Sequence, residues 1–430
     1  MSSLIKSVRG RRVWDSRGRP TVEAEITLAD GRTARAIAPA GASTGSAEAI
    51  DRRDGGAAFG GLDVQGALHA VNGEIAVLLA GRDVLRQDEL DAALVALDGT
   101  PNKARLGGNA LGATSLAIAH AAAAAQGLPL WRHLGAGRED VFLPLPEVQI
   151  FGGGAHAGRR VDVQDFMVIA VGATDYAQAL EWTAEVYRAA GLLMTEAGLL
   201  AGVADEGGWW PAFGSNEAAL DFLLRAIERA GYTPGQDVAI SLDIAATDFG
   251  RGGRYRLARD ACAVDSDGLA EMLLGWLARY PIVAIEDPLA EDDGEGLRKF
   301  TAAAGSRVEV VADDFICTSA ARISAAAALG ACNTALIKPN QAGTVSETLA
   351  ALRAAQDAGW QSIVSARSGE SEDVSVVHLA VGWGAKQLKV GSFARSERMA
   401  KWNEGLRIAE ALGQGGGDLP PRASFPWGRP

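Results

Sequence analysis

The chain has 430 residues, of which 48% are hydrophobic, a formal net charge of −12 at pH 7 and no run of basic residues, so nucleic acid and anionic membranes are not expected partners. No segment reaches the roughly 18 uninterrupted apolar residues of a membrane span, and the N-terminus lacks an apolar core of signal-peptide length. Three scattered cysteines argue against a disulfide framework, so we expect a cytoplasmic protein of two domains.

The first part of the chain predicts a small α+β domain. The stretch TVEAEITLADGRTARAIAP alternates apolar and polar residues around an Asp30-Gly31 turn, which is typical of a β-hairpin. The Ala-rich stretch LGGNALGATSLAIAHAAAAAQG predicts a helix that ends near Gly127 and Pro129. We assign this domain to residues 1–134.

A different pattern occupies residues 143–413, where short apolar strands each end on a polar residue. Most intervals between these strand ends fit one strand, one helix and loops, which predicts a parallel β/α barrel with its chemistry at the carboxyl ends of the strands. The polar strand ends are Asp243, Glu286, Asp313, Lys338, Arg367 and Lys389. A Gly/Pro-rich tail over residues 414–430 is expected to be poorly ordered.

Three of the strand ends are carboxylates, Asp243, Glu286 and Asp313. At successive strand ends they would converge on the barrel axis, where a hard cation such as Mg²⁺ would relieve their mutual repulsion. A surface acidic patch is the alternative interpretation. Only one of the five histidines, His156, lies in a polar, Gly-rich stretch, which argues against a His-ligated transition metal.

Two further strand ends are lysines, Lys338 and Lys389. Lysines close to a metal and to each other have lowered pKa values and can act as bases. Facing a carboxylate-bound metal, such a base suits removal of a proton α to a substrate carboxylate, because the cations stabilise the enediolate that forms. Each lysine alone could equally be a surface lysine.

Two loops carry further candidates. In VADEGGWWP, Asp205 and Glu206 precede two glycines, and this loop can direct a carboxylic acid at a leaving group. In APAGASTGSAEAI, Ser43 and Thr44 lie in a small-residue loop that can fold over a phosphate. An ordinary turn and a flexible surface loop are the alternatives.

Together these residues give the chain a strong resemblance to the enolase family, the Mg²⁺-dependent enzymes that dehydrate 2-phosphoglycerate to phosphoenolpyruvate. The resemblance extends from about residue 4 to residue 413. It rests on the motifs WDSRGRPTVEAEI, GASTG, LGGNALGATSLAIAHAAA, GGGAHA, VQDFM, DEGGWWP, SNEAAL, IEDPLAEDD, VADD, IKPNQAGTVSET, ARSGESED and ARSERMAKWNEGLRIAEALG.

The resemblance implies an N-terminal α+β domain capping a modified (β/α)8 TIM-type barrel, usually in a homodimer or a higher homo-oligomer. It implies a conformational Mg²⁺ ion and a second, catalytic one, both serving a small anionic substrate. It assigns the first ion to Asp243, Glu286 and Asp313, the second to Ser43, proton abstraction to Lys338, the substrate carboxylate to Lys389, departure of the hydroxyl to Glu206, the pocket lining to His156 and the phosphate to Arg367 and Ser368.

Two departures from the family pattern concern the site most directly, beside smaller ones in GGGAHA, at Pro339 and at Trp209-Trp210. Enolases carry histidine where this chain has Ala366, and glutamate where it has Asp165, a carboxylate that works beside Glu206 near the leaving hydroxyl. The proton-abstraction half is thus retained, whereas the leaving-group side is altered. Ala366 could also make room for a larger group.

Three hypotheses follow from the resemblance. The first is an enzyme that abstracts the α-proton of a phosphorylated three-carbon acid, 2-phosphoglycerate or a close analogue, to give an enolpyruvate product. The second is an enzyme similar to the carboxyphosphonoenolpyruvate synthases of phosphonate biosynthesis of the phosphinothricin type, which act on a phosphonylated substrate. The third is a catalytically inactive binding protein on an enolase scaffold.

Overall fold

The computed structural model describes residues 2–42, 44–210, 212–259, 262–413 and 415–429. The strands are β1 (Ile5–Trp14), β2 (Pro20–Leu28), β3 (Thr33–Ile37), β4 (Leu145–Gly152), β5 (Asp165–Ile169), β6 (Ala239–Asp243), β7 (Gly250–Arg251), β8 (Arg254–Leu257), β9 (Cys262–Asp265), β10 (Ile282–Glu286), β11 (Glu309–Ala312), β12 (Thr334–Ile337), β13 (Gln361–Ser365) and β14 (Gln387–Lys389). The α-helices are α1 (Gln65–Ala70), α2 (Ala76–Leu79), α3 (Gln87–Asp98), α4 (Gly108–Gln126), α5 (Leu130–Leu134), α6 (Tyr176–Glu196), α7 (Asn216–Arg229), α8 (Ser266–Arg279), α9 (Gly294–Ala304), α10 (Ala320–Leu329), α11 (Pro339–Ala342), α12 (Val345–Asp357), α13 (Ser375–Trp383) and α14 (Ser396–Leu412). Across the described ranges, every helix is too short or too polar to cross a membrane.

The N-terminal part is an antiparallel sheet, β1-β2-β3, covered by helices. Strands β2 and β3 form the hairpin that the sequence predicts, and Gly31 in its turn has a φ of 90°, which glycine adopts without strain. Helix α4 packs against β2 and β3 and is buried on nearly every face, because its alanines and glycines let the backbones approach closely. The Ala-rich helix is therefore part of the core.

The second part is a closed barrel in the order β10-β11-β12-β13-β14-β4-β5-β6. The expectation of an entirely parallel barrel is wrong for β5, which is antiparallel to both β4 and β6. The β4–β5 connection holds only a short 3₁₀ helix, Gly154–Ala157, whereas a parallel return requires a longer crossover. Because β5 is reversed, its first residue, Asp165, pairs with Asp243 at the carboxyl end of strand β6.

The C-terminal tail closes the amino end of the barrel. Phe425 stacks on Trp427 with their ring centroids 4.6 Å apart, and the Trp427 Nε1 donates a 2.9 Å hydrogen bond to Glu309 Oε2. Phe425 is fully buried in a cluster of residues at the strand ends, Leu145, Ile169, Val171 and Ala239. The expectation of a poorly ordered tail is therefore wrong for these residues, because the two aromatic rings find an apolar surface that the Gly/Pro-rich composition does not reveal.

The buried carboxyl group of Glu309, which accepts the hydrogen bond from Trp427 of the tail, should make the stability of the protein depend on pH. Burial raises the pKa of Glu309 to about 8 from an ordinary value of 4.5, and the Glu147 carboxylate also raises it against the opposing hydrogen bond from Trp427. Folded Glu309 keeps a proton that the unfolded chain releases, so the free energy of unfolding should fall as pH rises from 4.5 to about 8. In Glu309→Gln, which keeps an acceptor for Trp427, denaturant unfolding should lose this part of the pH dependence.

The exposed Glu271→Gln is the matched control, and its unfolding should follow the wild-type pH dependence. Equal pH dependence of the wild type and Glu309→Gln over this interval would contradict the prediction.

Candidate functional site

Polar side chains gather at the carboxyl end of the barrel. Asp243, Glu286 and Lys389 are the last residues of β6, β10 and β14, while Asp313 and Lys338 directly follow β11 and β12. All of these residues are buried. The closed barrel order therefore places side chains that are up to 146 residues apart in the chain within hydrogen-bond distance.

Lys389 joins two of the predicted metal ligands. Its Nζ lies 3.0 Å from Asp243 Oδ2 and 2.6 Å from Glu286 Oε2. Burial, together with repulsion from Asp243, raises the pKa of Glu286 well above its ordinary value. Glu286 Oε1 is buried and has no hydrogen-bond partner among the described residues. These two carboxylates are thus crowded, and one buried oxygen is available to a cation.

Lys338 forms an ion pair with the third predicted ligand, Asp313. Gln341 Nε2 donates a 2.9 Å hydrogen bond to the other oxygen of Asp313. Burial alone would lower the pKa of both lysines, but the carboxylates around them raise it. The expectation of lowered lysine pKa values is therefore wrong for this arrangement, because each ammonium group is paired with at least one buried carboxylate.

Asp287, which the sequence reasoning missed, orients the Asp313 segment. Its carboxylate accepts 2.9 Å hydrogen bonds from the backbone N–H groups of Asp313 and Asp314, and its own φ is 39°. Oxygens of these three residues lie within 4.8 Å of one another. Since both Asp287 oxygens are occupied, we attribute an orienting role to it. In the sequence, Asp287 could have been noticed as the second of two adjacent carboxylates in the IEDP motif.

The three predicted ligands suit Mg²⁺ chemically. Asp243, Glu286 and Asp313 offer only carboxylate oxygens, the donors that this hard cation prefers. The crowding at Glu286 and its unpartnered oxygen favour a cation at this end of the barrel. The three residues match Mg²⁺ in the type of their donor atoms and in their burial. Their oxygens are paired with lysines in this structure, Asp313 with Lys338 and the other two with Lys389.

A second polar group lies on the β4–β5 side of the site. His156 Nδ1 is 3.1 Å from Asp165 Oδ1, and His156 Nε2 is 3.9 Å from Glu206 Oε1. Burial alone would lower the pKa of His156, but these two carboxylates outweigh it and raise the pKa to about 9. The charged His156, with Arg398 and Lys389, in turn lowers the pKa of Glu206 against the effect of burial. An imidazolium thus lies between two carboxylates.

The loop that carries Glu206 is held rigidly. Glu206 O accepts a 2.9 Å hydrogen bond from Ser392 N, and Gly207 O accepts one of 3.0 Å from the Tyr187 hydroxyl. The Trp209 ring stacks on Tyr187 with centroids 4.7 Å apart, and its Nε1 donates to Tyr187 O. The two aromatic residues therefore fix the position of the carboxylate.

The predicted phosphate-binding residues lie on the other side. Arg367 Nη1 donates to Glu48 Oε2 at 2.9 Å and to Asn340 Oδ1 at 3.0 Å, and Ser368 Oγ accepts from Arg17 Nη1 at 3.3 Å. Ser43, the predicted ligand of a second ion, lies outside the described residues. An anion that binds Arg367 must therefore compete with Glu48.

Buried Arg398 is another residue that sequence reasoning missed. Its Nη1 donates to Arg367 O at 2.7 Å, and its Nη2 donates to Ser368 O at 2.6 Å. Arg398 thereby fixes the backbone of both predicted phosphate-binding residues. In the sequence, Arg398 is one arginine within the long motif of α14. The helical periodicity alone does not show whether such an arginine is buried or exposed.

Two of the cavities at this end of the barrel border the predicted site residues. One of about 20 Å³, the space of about one water molecule, is bordered by Ala366 together with His156, Asp165, Glu206, Lys338 and Lys389. A second of about 450 Å³ lies under the loop of Ala40 to Glu48 and is lined by Arg17, Arg19 and Arg53. The space beside Ala366 is thus small in this arrangement, and the larger space is the one lined by the loop.

Comparison with known proteins agrees with this architecture. The family model for the enolase N-terminal domain matches residues 5–134, and that for the enolase C-terminal TIM barrel domain matches residues 140–417. The chain is 47% identical to Enolase 1 of Desulfitobacterium hafniense (strain Y51) over 412 residues, which are 95% of this chain and 94% of that protein. The closed barrel, the small N-terminal sheet and these matches show that the chain belongs to the enolase family.

Proposed function

We propose that this enolase-type enzyme removes the α-proton of a phosphorylated three-carbon carboxylic acid, 2-phosphoglycerate or a close analogue, and expels a hydroxyl group to give an enolpyruvate product. The observation that carries the proposal is the pair of buried lysines, Lys338 and Lys389, facing three buried carboxylates at the strand ends. Burying five charges in one site is costly, and a binding protein would gain little from it.

The proton-abstraction half lies on β6, β10 to β12 and β14. Lys338 Nζ takes the proton, and Lys389 binds the substrate carboxylate, where the negative charge of the enediolate develops. Mg²⁺ held by Asp243, Glu286 and Asp313 would neutralise these carboxylates and stabilise that charge. Lys338 acts as a base only when its ammonium form is less stabilised by Asp313, since that carboxylate raises its pKa.

The leaving-group half lies on β4, β5 and the Glu206 loop. The departing hydroxyl takes up a proton and leaves as water. That proton comes from His156, whose pKa is raised to about 9, and Glu206, whose Oε1 lies 3.9 Å from His156 Nε2, relays it. Asp165 keeps His156 oriented through the 3.1 Å contact between Nδ1 and Oδ1. In this proposal, the residues for C–H cleavage differ from those for C–O cleavage.

A carboxyphosphonoenolpyruvate synthase-like reaction is the second candidate. The observation that favours it is the cavity of about 450 Å³, whose lining has three arginines, Arg17, Arg19 and Arg53, against two carboxylates, Glu48 and Asp51, and which could take a second anionic reactant. A protein with this as its main role should release phosphoenolpyruvate from 2-phosphoglycerate far below ordinary enolase rates.

The first prediction concerns the base. With 2-phosphoglycerate and Mg²⁺, the wild type should exchange the C2 proton with solvent deuterium and form phosphoenolpyruvate, both followed by NMR. Lys338→Ala should lower exchange at least ~100-fold, because a positioned base contributes about that much or more.

Lys299→Ala is the control, since this exposed lysine pairs with Asp267 on the barrel surface. Absence of exchange in the wild type would favour an inactive scaffold over both enzymatic candidates. Unchanged exchange in Lys338→Ala would assign the base to another residue.

The second prediction concerns the metal. Glu286→Gln keeps an acceptor for Lys389 but removes one of three carboxylate charges, so the Mg²⁺ concentration at half-saturation should rise at least ~10-fold. Tryptophan fluorescence during titration with Mg²⁺ alone reports binding without relying on activity. Chelation by EDTA should abolish turnover of the wild type.

Glu271→Gln should bind Mg²⁺ like the wild type, because Glu271 is exposed on α8. Wild-type Mg²⁺ affinity in Glu286→Gln would show that the ion binds elsewhere, with the group of Asp287, Asp313 and Asp314 as the next position to test.

A further inference from the structure

One buried glutamine connects the two parts of the leaving-group half. Gln149 lies on β4, and its side-chain amide donates a hydrogen bond from Nε2 to Asp165 Oδ1. Its Oε1 accepts a 2.8 Å hydrogen bond from Gly208 N, two residues after Glu206. A Cβ at position 208 would lie 2.5 Å from Gln149 Oε1, so only glycine permits this close approach.

We propose that Gln149 is a positioning residue that sets the distance between the Asp165 carboxylate and the loop bearing Glu206. The inference rests on the proposed function, since it concerns the same leaving-group half. Gln149 acts through its neighbours, because its side chain bonds Asp165 and the backbone of Gly208.

The backbone of β4 supports this role. The pairing of β4 with β5 shifts register between Gln149 and Phe151. Such a bulge redirects a side chain and is common beside active sites. The residue inside the irregularity, Ile150, accepts a 2.8 Å hydrogen bond from Trp209 N, so the same segment also holds the Glu206 loop through the backbone. Side chain and backbone of β4 therefore fix one loop together.

The hydrogen bond from Gln149 also determines which Asp165 oxygen remains available. Oδ1 is shared by Gln149 and His156. Oδ2 is buried without a hydrogen-bond partner among the described residues and lies 3.8 Å from Lys389 Nζ. The short aspartate is thus anchored on one oxygen by a long amide, and its other oxygen faces the site.

The lengths of the side chains at positions 149 and 165 offer an experimental test. The side chains of Gln149 and Asp165 together span the distance between β4 and β5, and that of Gln149 is longer by one methylene group. Gln149→Asn shortens the amide by one methylene group and breaks the contact. In the double variant Gln149→Asn with Asp165→Glu, the methylene group lost at position 149 is returned at position 165, so the contact between these two side chains is regained while that with Gly208 N is not.

The assay compares two rates on each variant, namely C2 proton exchange and dehydration of 2-phosphoglycerate with Mg²⁺. Gln149→Asn and Asp165→Glu should each lower the rate of dehydration at least ~10-fold, because displacing a catalytic group by about an ångström can lower a rate by up to about 100-fold. In Gln149→Asn, exchange should stay within about threefold of the wild type, since Lys338 is untouched. The double variant should dehydrate at least ~3-fold faster than the product of the two single losses predicts, because the contact between positions 149 and 165 is regained.

Gln361→Asn is the matched control, because Gln361 is a buried glutamine at the amino end of the same barrel, on β13. It should change neither rate. Circular dichroism and denaturant midpoints verify folding. If Gln149→Asn does not fold, Gln149→Met replaces it, because methionine nearly keeps the side-chain length but removes both hydrogen bonds. Gln149→Met should lower dehydration in the same way, with exchange retained.

Equal loss of exchange and dehydration in the Gln149 variants would overturn the inference, as would a double variant whose loss equals the product of the single losses. A wild type that performs neither reaction would overturn the proposed function and this inference with it. A wild type active in both, with Gln149 variants indistinguishable from it, would overturn only the inference.

Discussion

The ion pairs of Lys338 and Lys389 with buried carboxylates hold the catalytic end of the barrel together. Lys389 satisfies both Asp243 and Glu286, and Lys338 satisfies Asp313. Removing a partner from such a pair leaves an uncompensated buried charge, which is strongly destabilising. The strands therefore have to close in one register, since a shift of one residue would turn these side chains away from one another.

The reversed strand β5 completes this charge distribution. Its direction places Asp165 beside Asp243 at the catalytic end, although Asp165 is the first residue of its strand. The barrel thereby gains a carboxylate next to His156, on the side opposite Lys338. A parallel strand would have put this residue at the amino end, near the surface that the C-terminal tail covers. Strand direction thus brings Asp165 to the same end of the barrel as Asp243 and His156.

The sequence could predict the strand ends because each apolar run stops at a polar residue, and Asp243, Glu286 and Asp313 follow that rule. The antiparallel direction of β5, the positions of Gln149 and Arg398 and the packing of the tail could not be predicted in this way. Gln149 bonds Gly208, 59 residues away, and Arg398 bonds Ser368, 30 residues away. Such contacts depend on how the barrel closes. The lysine pKa values were misjudged for the same reason, since they depend on which carboxylates pair with them.

The small space at the centre of the site bears on how a substrate enters. A cavity of about 20 Å³ cannot hold a three-carbon phosphate while the lysines and carboxylates remain paired with one another. A substrate carboxylate carries the same charge as Glu286 and can replace it as the partner of Lys389, so the lysine never loses compensation. The phosphate can likewise replace Glu48 at Arg367, whose Nη1 lies 2.9 Å from Glu48 Oε2. Binding would then proceed by exchange of ion-pair partners at Lys389 and at Arg367. Glu48 also lines the larger cavity of about 450 Å³, so the carboxylate that the phosphate replaces borders open space on its other side.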